Sequence, residues 1–442
     1  MAFKLSLNKT SDSSKRIRIV RIIDRLNVGG PAKHAVWLTS GLNEDRFQSF
    51  LIIGKVPDGE DDMSYFARAA GVEPIAIPEM SRELGLRDLL VIAKLIKLFF
   101  KLKPNVVHTH KSKAGATGRI AATVYKWLTP SAFLLRPRKC RIVHTFHGHI
   151  FHSYYGAAKT RFFIGIERIL ARLCTDRIVT ISPQQRAEIN ELFRVGRREQ
   201  FNVIPLGIDV GETSEASRSL REEIGAAPDE ALVGIVGRLC EVKNHELLLN
   251  AAARLTRDAA RVRFVIIGDG HLRGALENET RRLGIIDKVS FAGLRNDVTA
   301  LYKELDVVAL TSLNEGTPVT LIEAMNSGRA VAATEVGGVV DILGNRSSAG
   351  GSFSVWDHGV TARSGDVEGF AEALRFLIAN PDLRLKMGQR GHVFVRKHLS
   401  RERLLSDVEH LYCELATDAQ VERGKVHPPF QVSKRSIGNR PV

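Results

Sequence analysis

Two glutamates bracket a predicted helix start in the stretch EGTPVTLIE. After Glu315, Gly316 permits close backbone approach. Thr317 can cap a helix, and Pro318 suits its first position. Glu323 then falls in the second turn, roughly 8 Å along the axis at ~1.5 Å per residue, so two carboxylates with N–H groups between them could bind a sugar and a ribose. In isolation, a loop acid and an ordinary surface helix residue are equally good interpretations.

Two further predicted strand-to-helix turns could bind an anion. In GRLCEVKNH, Arg238 and Lys243 follow Gly237 and suit a diphosphate, although two solvated cations on a loop are the alternative. In NVGGPAKH, Gly29 and Gly30 precede a proline that suits a helix start. A phosphate or sugar could approach the N–H groups there, but a tight structural turn explains the two glycines equally well.

Histidines are concentrated at the ends of two predicted strands, in VVHTHKSK and VHTFHGHI. Strand alternation puts His108 and His110 on one face. Neither segment holds the carboxylate or cysteine found in most hydrolytic metal sites, so we favour contacts to sugar or phosphate over a zinc site. His110, Lys113 and His149 are the predicted polar contacts to such a ligand, and at least one histidine in each segment is expected to be structural.

The elements that must position these residues follow a regular alternation. Short β-branched runs alternate with longer helical patterns, which is typical of α/β domains whose parallel sheets carry helices on both faces. Ligands of such sheets bind beyond the carboxyl ends of the strands, at helix N-termini. Two series of runs are separated by the polar, turn-rich segment 209–231, which predicts two domains with a boundary near residue 210.

Composition narrows the class of protein. The chain has 442 residues, 44% hydrophobic and 26% charged, which excludes wholesale disorder. No apolar run approaches the ~20 residues of a membrane-spanning helix, and the N-terminus lacks a signal-peptide block, so we expect a cytoplasmic protein. The four cysteines are far apart and suggest neither zinc nor disulfides.

The formal charge of +15 calls for an anionic partner, such as nucleic acid, a phosphorylated substrate or an anionic membrane. Residues 1–18 and 421–442 each carry a net charge of +4, so much of the excess lies in predicted tails. This concentration at the ends argues against nucleic-acid binding, which would interleave basic and aromatic side chains on a stacking surface.

The ordered set NVGGPAKH, VVHTHKSKAGATGR, VHTFHGHIFHSYYG, GIVGRLCEVKNHELLL and EGTPVTLIEAMNSGRAVAAT resembles the glycosyltransferase-B (GT-B) fold over about residues 16–416. In particular, it is similar to the retaining family 4 glycosyltransferases of bacterial envelope polysaccharide synthesis. The resemblance implies two Rossmann-like, doubly wound parallel-sheet domains facing across a cleft, with a C-terminal helix crossing back to the N-terminal domain. The implied ranges are 1–15 for a basic flexible N-terminus, 16–208 for an acceptor-side domain, 209–398 for a nucleotide-sugar-binding domain, 399–418 for the returning helix and 419–442 for a basic disordered tail.

The resemblance also assigns roles to the matched residues. Glu315 would contact the donor sugar and Glu323 the ribose, while Arg238 and Lys243 would neutralise the diphosphate. His147 would lie near the reacting sugar. His110, Lys113 and His149 would contact the acceptor or other polar groups in the cleft. The implied catalytic residues are Glu315, His147, Arg238 and Lys243. The implied donor-binding residues are Gly29, Gly30, Gly237, Arg238, Lys243, Gly316, Thr317, Pro318 and Glu323.

What the resemblance implies is retaining transfer of a hexose from a nucleotide-diphosphate sugar, more readily UDP-linked than GDP-linked, to a glycan or polyprenyl-diphosphate-linked acceptor. No metal or other cofactor is required, because cationic side chains and a helix dipole stabilise the leaving group. Asn244 departs from the glycine of many relatives, and segment 125–141 is longer than usual. A sugar-nucleotide epimerase of the same fold is the main alternative.

Two segments suggest peripheral contact with the inner face of an anionic membrane. Residues 87–104 form a predicted basic amphipathic helix with Lys94, Lys97 and Lys101 on one stripe, and residues 125–141 mix aromatic and cationic side chains. A helix that simply covers the domain, with its lysines solvated, explains the first segment equally well.

Overall fold

The structure is a computed structural model that describes residues 16–27, 29–56, 62–80, 85–147, 157–211, 219–257, 261–295, 297–349 and 351–417. The predicted tails at 1–15 and 419–442 and the predicted contact His149 lie outside these residues. No helix in the described ranges is both long and apolar enough to cross a membrane.

The first domain is built on a seven-stranded, entirely parallel sheet in the order β3-β2-β1-β4-β5-β6-β7. Its strands are β1 (Ile17–Ile23), β2 (Phe47–Ile53), β3 (Ile75–Ala76), β4 (Val106–His110), β5 (Arg141–Phe146), β6 (Arg177–Thr180) and β7 (Phe201–Val203). Its helices are α1 (Gly30–Ser40), α2 (Ser64–Ala69), α3 (Arg87–Leu102), α4 (Ser112–Trp127), α5 (Ala157–Leu173) and α6 (Pro183–Ala187). The two-residue strand β3 was absent from the sequence prediction because it is too short to show alternation.

The second domain has an eight-stranded mixed sheet in the order β10-β9-β8-β11-β12-β15-β14-β13. Its strands are β8 (Ala231–Val236), β9 (Val262–Ile267), β10 (Val289–Gly293), β11 (Val307–Leu310), β12 (Ala330–Thr334), β13 (Arg346–Ala349), β14 (Phe353–Trp356) and β15 (Gly359–Ala362). Its helices are α7 (Leu220–Glu223), α8 (His245–Arg257), α9 (Arg273–Arg282), α10 (Val298–Leu301), α11 (Val319–Asn326), α12 (Val367–Ala379) and α13 (Pro381–His398). Strand β14 runs antiparallel to both neighbours, an edge that the parallel pattern did not predict.

The C-terminal helix α14 (Arg401–Thr417) packs on the first domain, as the resemblance implied. Its buried side chains Leu404, Val408, Leu411 and Leu415 form one stripe at helical spacing and join the core beneath the first sheet. The chain crosses between the domains at residues 208 and 400, and the two crossings lie side by side. There the Ile208 N–H donates to Leu399 at 2.8 Å. The two α/β domains and the returning helix confirm the predicted fold class.

Candidate active site

The strongest polar contact at the carboxyl edge of the second sheet joins two predicted site residues. The Lys243 ammonium donates to Glu315 Oε1 at 2.6 Å, and the Ser312 hydroxyl donates to the same oxygen at 2.7 Å. The two side chains are 23% and 12% exposed, so the pair is accessible without being fully solvated. A carboxylate and a cation fixed beside a helix start can bind sugar hydroxyls and phosphate oxygens together.

Backbone contacts hold the Lys243 loop against the loop that follows β11. The Thr311 hydroxyl donates to the Lys243 carbonyl at 2.8 Å, and the Leu313 N–H donates to Val242 at 2.8 Å. Asn244, where many relatives have glycine, adopts a left-handed conformation with φ of 47°. Because Asn tolerates this conformation better than most residues, the departure from glycine keeps the turn.

Gly237 and Arg238 lie in the same loop. A Cβ atom on Gly237 would lie 3.7 Å from the Lys243 side chain, so the lysine passes directly over this glycine. Arg238 is exposed at this edge. The structure therefore brings Gly237 and Lys243 into contact, and the diphosphate role of Arg238 stays a prediction.

The helix start after Glu315 differs in one detail from the prediction. Helix α11 begins at Val319 with Pro318 in the N-cap position, and no side chain caps it. Thr317 was predicted as the cap, but its hydroxyl is buried without a partner among the described residues. The N-cap residue is therefore Pro318 and not the predicted Thr317. Because proline has no side-chain acceptor, the first-turn N–H groups of α11 receive no side-chain cap.

A pair of glycines from the next strand connection supports this turn. A Cβ on Gly337 would lie 1.7 Å from the Glu315 carbonyl oxygen, and one on Gly338 would lie 2.1 Å from the Gly316 oxygen. The Gly338 N–H donates to the Gly316 carbonyl at 3.0 Å. Only glycine fits this approach. Gly337 and Gly338 therefore hold the backbone around Glu315, a role that the sequence analysis did not assign to them.

Glu323 is held by a tyrosine that sequence reasoning missed. The Tyr302 hydroxyl donates to Glu323 Oε2 at 3.1 Å. Burial raises the pKa of Glu323, while Lys33 of α1 and the tyrosine hydroxyl act in the opposite direction. Tyr302 lies in a short 3-10 turn after α10 and carried no motif, so no sequence signal pointed to it.

The glycine pair before α1 faces the start of α11 across the cleft. Gly29 is the N-cap of α1, and Pro31 occupies the first turn as predicted. A Cβ on Gly30 would lie 3.4 Å from Val319 Cγ2 of the other domain. This close approach places the predicted anion-binding turn before α1 beside the start of α11, the helix that follows Glu315.

Strands β4 and β5 divide their histidines between structural and cleft positions. His144 Nδ1 forms a hydrogen bond of 2.9 Å with the Thr109 hydroxyl inside the sheet, and the His144 ring packs against Gly115. His110 Nδ1 lies 2.9 Å from His147 Nε2 at the strand ends. His108 and His110 share one face, with ring centroids 4.3 Å apart. The expectation that at least one histidine in each segment is structural fits the buried positions of His108 and His144 within the sheet.

A third histidine, from α1, completes a cluster at the cleft. One nitrogen from each of His34, His110 and His147 lies within 4.8 Å of the others. Burial, followed by the charge of Arg21, lowers the pKa of His34 to about 3. Burial also lowers the pKa of His110 and His147 well below the ordinary range, so all three rings are neutral near pH 7.

Three neutral imidazoles at this spacing could approach a transition-metal ion, but their surroundings disfavour one. The cluster contains no carboxylate, His110 and His147 are hydrogen-bonded to each other, and the buried Arg21 cation lies close enough to lower the pKa of His34 and His110. A resident positive charge weakens the binding of a second one. The arrangement better suits hydrogen bonds to uncharged hydroxyl groups.

Comparisons with known proteins cover both domains. Residues 28–212 match the family described as Glycosyltransferase Family 4. Residues 217–393 match the family described as Glycosyl transferases group 1. The chain is similar to the UDP-Gal:alpha-D-GlcNAc-diphosphoundecaprenol alpha-1,3-galactosyltransferase of Escherichia coli, with 29% identity over 321 residues, which cover 68% of this chain and 78% of that protein.

The chain is a glycosyltransferase of the GT-B fold. It is also similar to the putative glycosyltransferase EpsD of Bacillus subtilis, with 25% identity over 325 residues, which cover 72% of this chain and 79% of that protein. Among solved structures, Anabaena Alr3699/HepE in complex with UDP and glucose superposes with a TM-score of 0.72 and 18% identity, covering 90% of this chain and all of that one. At that identity the likeness concerns the fold.

One predicted acceptor-side residue of the glycosyltransferase has a structural partner instead. Lys113 pairs with Asp88 at 3.0 Å, and its side chain is only 9% exposed. It therefore ties α4 to α3. The neighbouring Lys111 lies at the end of β4 with φ of 62° and donates to Asn27 at 3.1 Å. His110 is in the cleft cluster, so of the three predicted acceptor contacts only His110 has cleft geometry among the described residues.

Proposed function

We propose that this glycosyltransferase moves a hexose from a UDP-linked sugar to a hydroxyl of a glycan or lipid-linked glycan, with retention, in cell-surface polysaccharide synthesis. The observation that carries the proposal is the Lys243–Glu315 pair beside the uncapped start of α11. A nucleotide-diphosphate sugar presents phosphate oxygens and sugar hydroxyls at about the spacing of such a site. UDP is preferred over other nucleotides because the named Escherichia coli relative uses UDP-Gal and the Anabaena neighbour was solved with UDP.

The two walls of the cleft divide the chemistry. Negative charge builds on the β-phosphate oxygen as the glycosidic bond breaks, and Lys243, Arg238 and the N–H groups of α11 stabilise it. Glu315 and the Gly316 and Thr317 backbone orient the hexose, while Glu323 binds the ribose. No metal is needed for the leaving group in this arrangement, because the cationic groups supply the charge.

His147 and His110 lie on the opposite wall, where neutral imidazoles can bind hexose hydroxyls on the carbons near the reacting one. In the proposed route the acceptor hydroxyl attacks from the face that the diphosphate leaves, and a phosphate oxygen takes the acceptor proton. The C–O bond to the phosphate breaks as the C–O bond to the acceptor forms. The anomeric configuration is then retained.

The acceptor is proposed to be lipid-linked because exposed apolar side chains are concentrated on one face of the first domain. Helices α3, α4 and α5 pack side by side on this face. Phe133, Leu134 and Leu135 are 95%, 72% and 80% exposed in the turn after α4. Trp127 and Phe162 are exposed on α4 and α5. Lys97 and Lys101 are exposed on α3, as is Lys94, which pairs with Glu79. Apolar tips with a cationic fringe suit an anionic bilayer surface.

The transfer proposal is tested with Glu315→Gln, which keeps the shape of the side chain and removes its charge. We expect the rate of hexose transfer from UDP-sugars to lipid-linked acceptors to fall by roughly 10²-fold or more, because an orienting charged contact is lost at the reacting centre. Glu368→Gln removes an acid from a surface ion pair with Arg254 and serves as the matched control. Transfer by Glu315→Gln at the control's rate would overturn the assignment.

Membrane contact is tested by co-sedimentation with phosphatidylglycerol vesicles. The wild type is expected to sediment at low salt and to be released as salt rises. A variant with Phe133→Ser and Leu134→Ser should stay in the supernatant, whereas Leu385→Ser, which changes an exposed leucine of the second domain, should behave as wild type. Wild type that remains in the supernatant at low salt would refute the membrane proposal and leave the transfer proposal intact.

A further inference from the structure

A tyrosine from the C-terminal helix lies directly beneath the cleft histidines. Tyr412 of α14 is fully buried, and its hydroxyl oxygen lies 2.6 Å from His108 Nδ1. Its ring packs against Phe47, with centroids 6.3 Å apart. The residue reaches this position only because α14 returns to the first domain, 304 residues along the chain from the histidine it contacts.

Both nitrogens of His108 are occupied, so its ring is fixed. His108 Nε2 lies 2.6 Å from the Thr145 hydroxyl oxygen on β5. Arg21 of β1 donates to the Tyr412 oxygen at 3.4 Å, and the tyrosine hydroxyl keeps its own proton as it accepts this bond. If the hydroxyl donates that proton to His108 Nδ1, His108 carries its proton on Nε2 and donates it to Thr145. That direction of donation would fix both the orientation and the tautomer of the ring.

The fixed ring supports the two cleft imidazoles in turn. His110 lies against His108 with a centroid distance of 4.3 Å and an interplanar angle of 33°. His110 Nδ1 is 2.9 Å from His147 Nε2. The His34 ring lies edge-on to both of these imidazoles, with centroid distances of 5.7 Å to His110 and 4.9 Å to His147. A shift of the innermost ring is therefore passed to His147 through direct contacts.

Arg21 is the element of this arrangement that stability alone does not explain. Its side chain is fully buried, and no carboxylate of a described residue pairs with it. Besides its hydrogen bond to the Tyr412 hydroxyl, the guanidinium lies over the Tyr412 ring, with 5.5 Å between its carbon and the ring centroid. A buried unpaired cation is costly to folding. Its position opposite His108 in the sheet register suits an orienting role on the tyrosine.

We infer that Tyr412 positions His147 through the two stacked imidazoles between them. Tyr412 touches no substrate in this role, so it is a positioning residue. The inference rests on the proposed function, in which His147 contacts the reacting sugar. It makes the C-terminal helix part of the active site and not only a tie between the domains.

The kinetic test uses Tyr412→Phe, which keeps the ring and removes the hydroxyl. We expect kcat to fall roughly 10-fold with the donor KM changed less than about 2-fold, because misplacement of a group at the reacting centre costs rate more than ground-state binding. The matched control is Tyr125→Phe, a buried tyrosine of the same domain that packs on Phe99. In a His108→Phe background, Tyr412→Phe should have no further effect on kcat, since the path through His108 is already broken.

A spectroscopic test does not depend on finding the acceptor. With ¹⁵N-labelled histidine, the Nε2-protonated form of His108, assigned with the His108→Phe variant, should dominate in the wild type. Tyr412→Phe should change that signal and shift those of His110 and His147, whereas Tyr125→Phe should change none. Unchanged imidazole signals, or wild-type kcat in Tyr412→Phe, would overturn the inference. Absence of transfer by the wild type itself would instead count against the proposed function.

Discussion

The two walls of the cleft differ in the charge and the burial of their polar side chains. On the wall of the second domain, Lys243 and Glu315 form a charged pair that solvent can reach. On the wall of the first domain, buried neutral imidazoles lie close enough to Arg21 for its charge to lower their pKa, and Arg21 has no carboxylate partner among the described residues. The comparison suggests that the two walls have different roles. The wall of the second domain carries charge where charge develops in the proposed reaction. The wall of the first domain supplies hydrogen bonds from imidazoles whose protonation does not change near neutral pH.

The largest expected effect comes from removing the cation of the charged wall. Lys243→Ala should lower kcat for transfer by roughly 10²- to 10³-fold, because the departing diphosphate loses a fixed positive group. Lys303→Ala, an exposed lysine of the same domain, is the control and should keep wild-type kcat. Steady-state kinetics with a saturating UDP-sugar make the measurement. If Lys243→Ala retained most of its rate, leaving-group stabilisation would have to come from the other wall, and the comparison would fail.

The charged wall was the more predictable of the two because its signals are local. Glu315 and Glu323 fall within nine consecutive residues, and the Gly316 and Pro318 between them indicate a turn and a helix start. Lys243 follows a strand that its apolar run already identified. The sequence analysis missed the residues that hold these carboxylates in place. Tyr302 has no motif, and the contact of Gly337 with the Glu315 carbonyl depends on how two strand connections meet in space.

The imidazole wall was less predictable because its contacts are distant in sequence. Strand alternation placed His108 and His110 on one face, and the structure confirms it. Nothing local pairs His108 with Tyr412, 304 residues away, or brings His34 from α1 to the same cluster. One signal was present: Arg21 interrupts an apolar strand in a sheet expected to be covered on both faces, and a charged residue there indicates a special environment.

A moderate effect is expected from the missed support of the charged wall. Tyr302→Phe should raise the donor KM by about 3- to 10-fold, because Glu323 loses a hydrogen bond worth roughly 1.5 kcal/mol to a charged acceptor and its carboxylate, which we propose binds the ribose, is no longer held in a fixed orientation. The value of kcat should change little, since the ribose is remote from the bond that breaks. Tyr65→Phe, at an exposed position, is the control. A fall in kcat at unchanged KM would place Glu323 at the reacting centre instead.

The smallest effect concerns the protonation of the imidazole wall and sharpens the claim that it stays neutral. The pKa of His34 is lowered to about 3 in the folded protein, chiefly by burial, against about 6.5 in an unfolded chain. Between these values the unfolded chain binds a proton that the folded chain does not, so the free energy of unfolding falls as the pH falls. His34→Gln removes this linkage, and the loss of stability between pH 6.5 and 5.5 should be smaller by about 1 kcal/mol than in the wild type. Denaturant unfolding at both pH values measures the difference, with His271→Gln, an exposed histidine of the second domain, as control. An identical pH dependence in His34→Gln and the wild type would mean that His34 takes up its proton over the same pH range in the folded protein as in the unfolded chain, and the wall would then gain a second charge beside Arg21 below about pH 6.5.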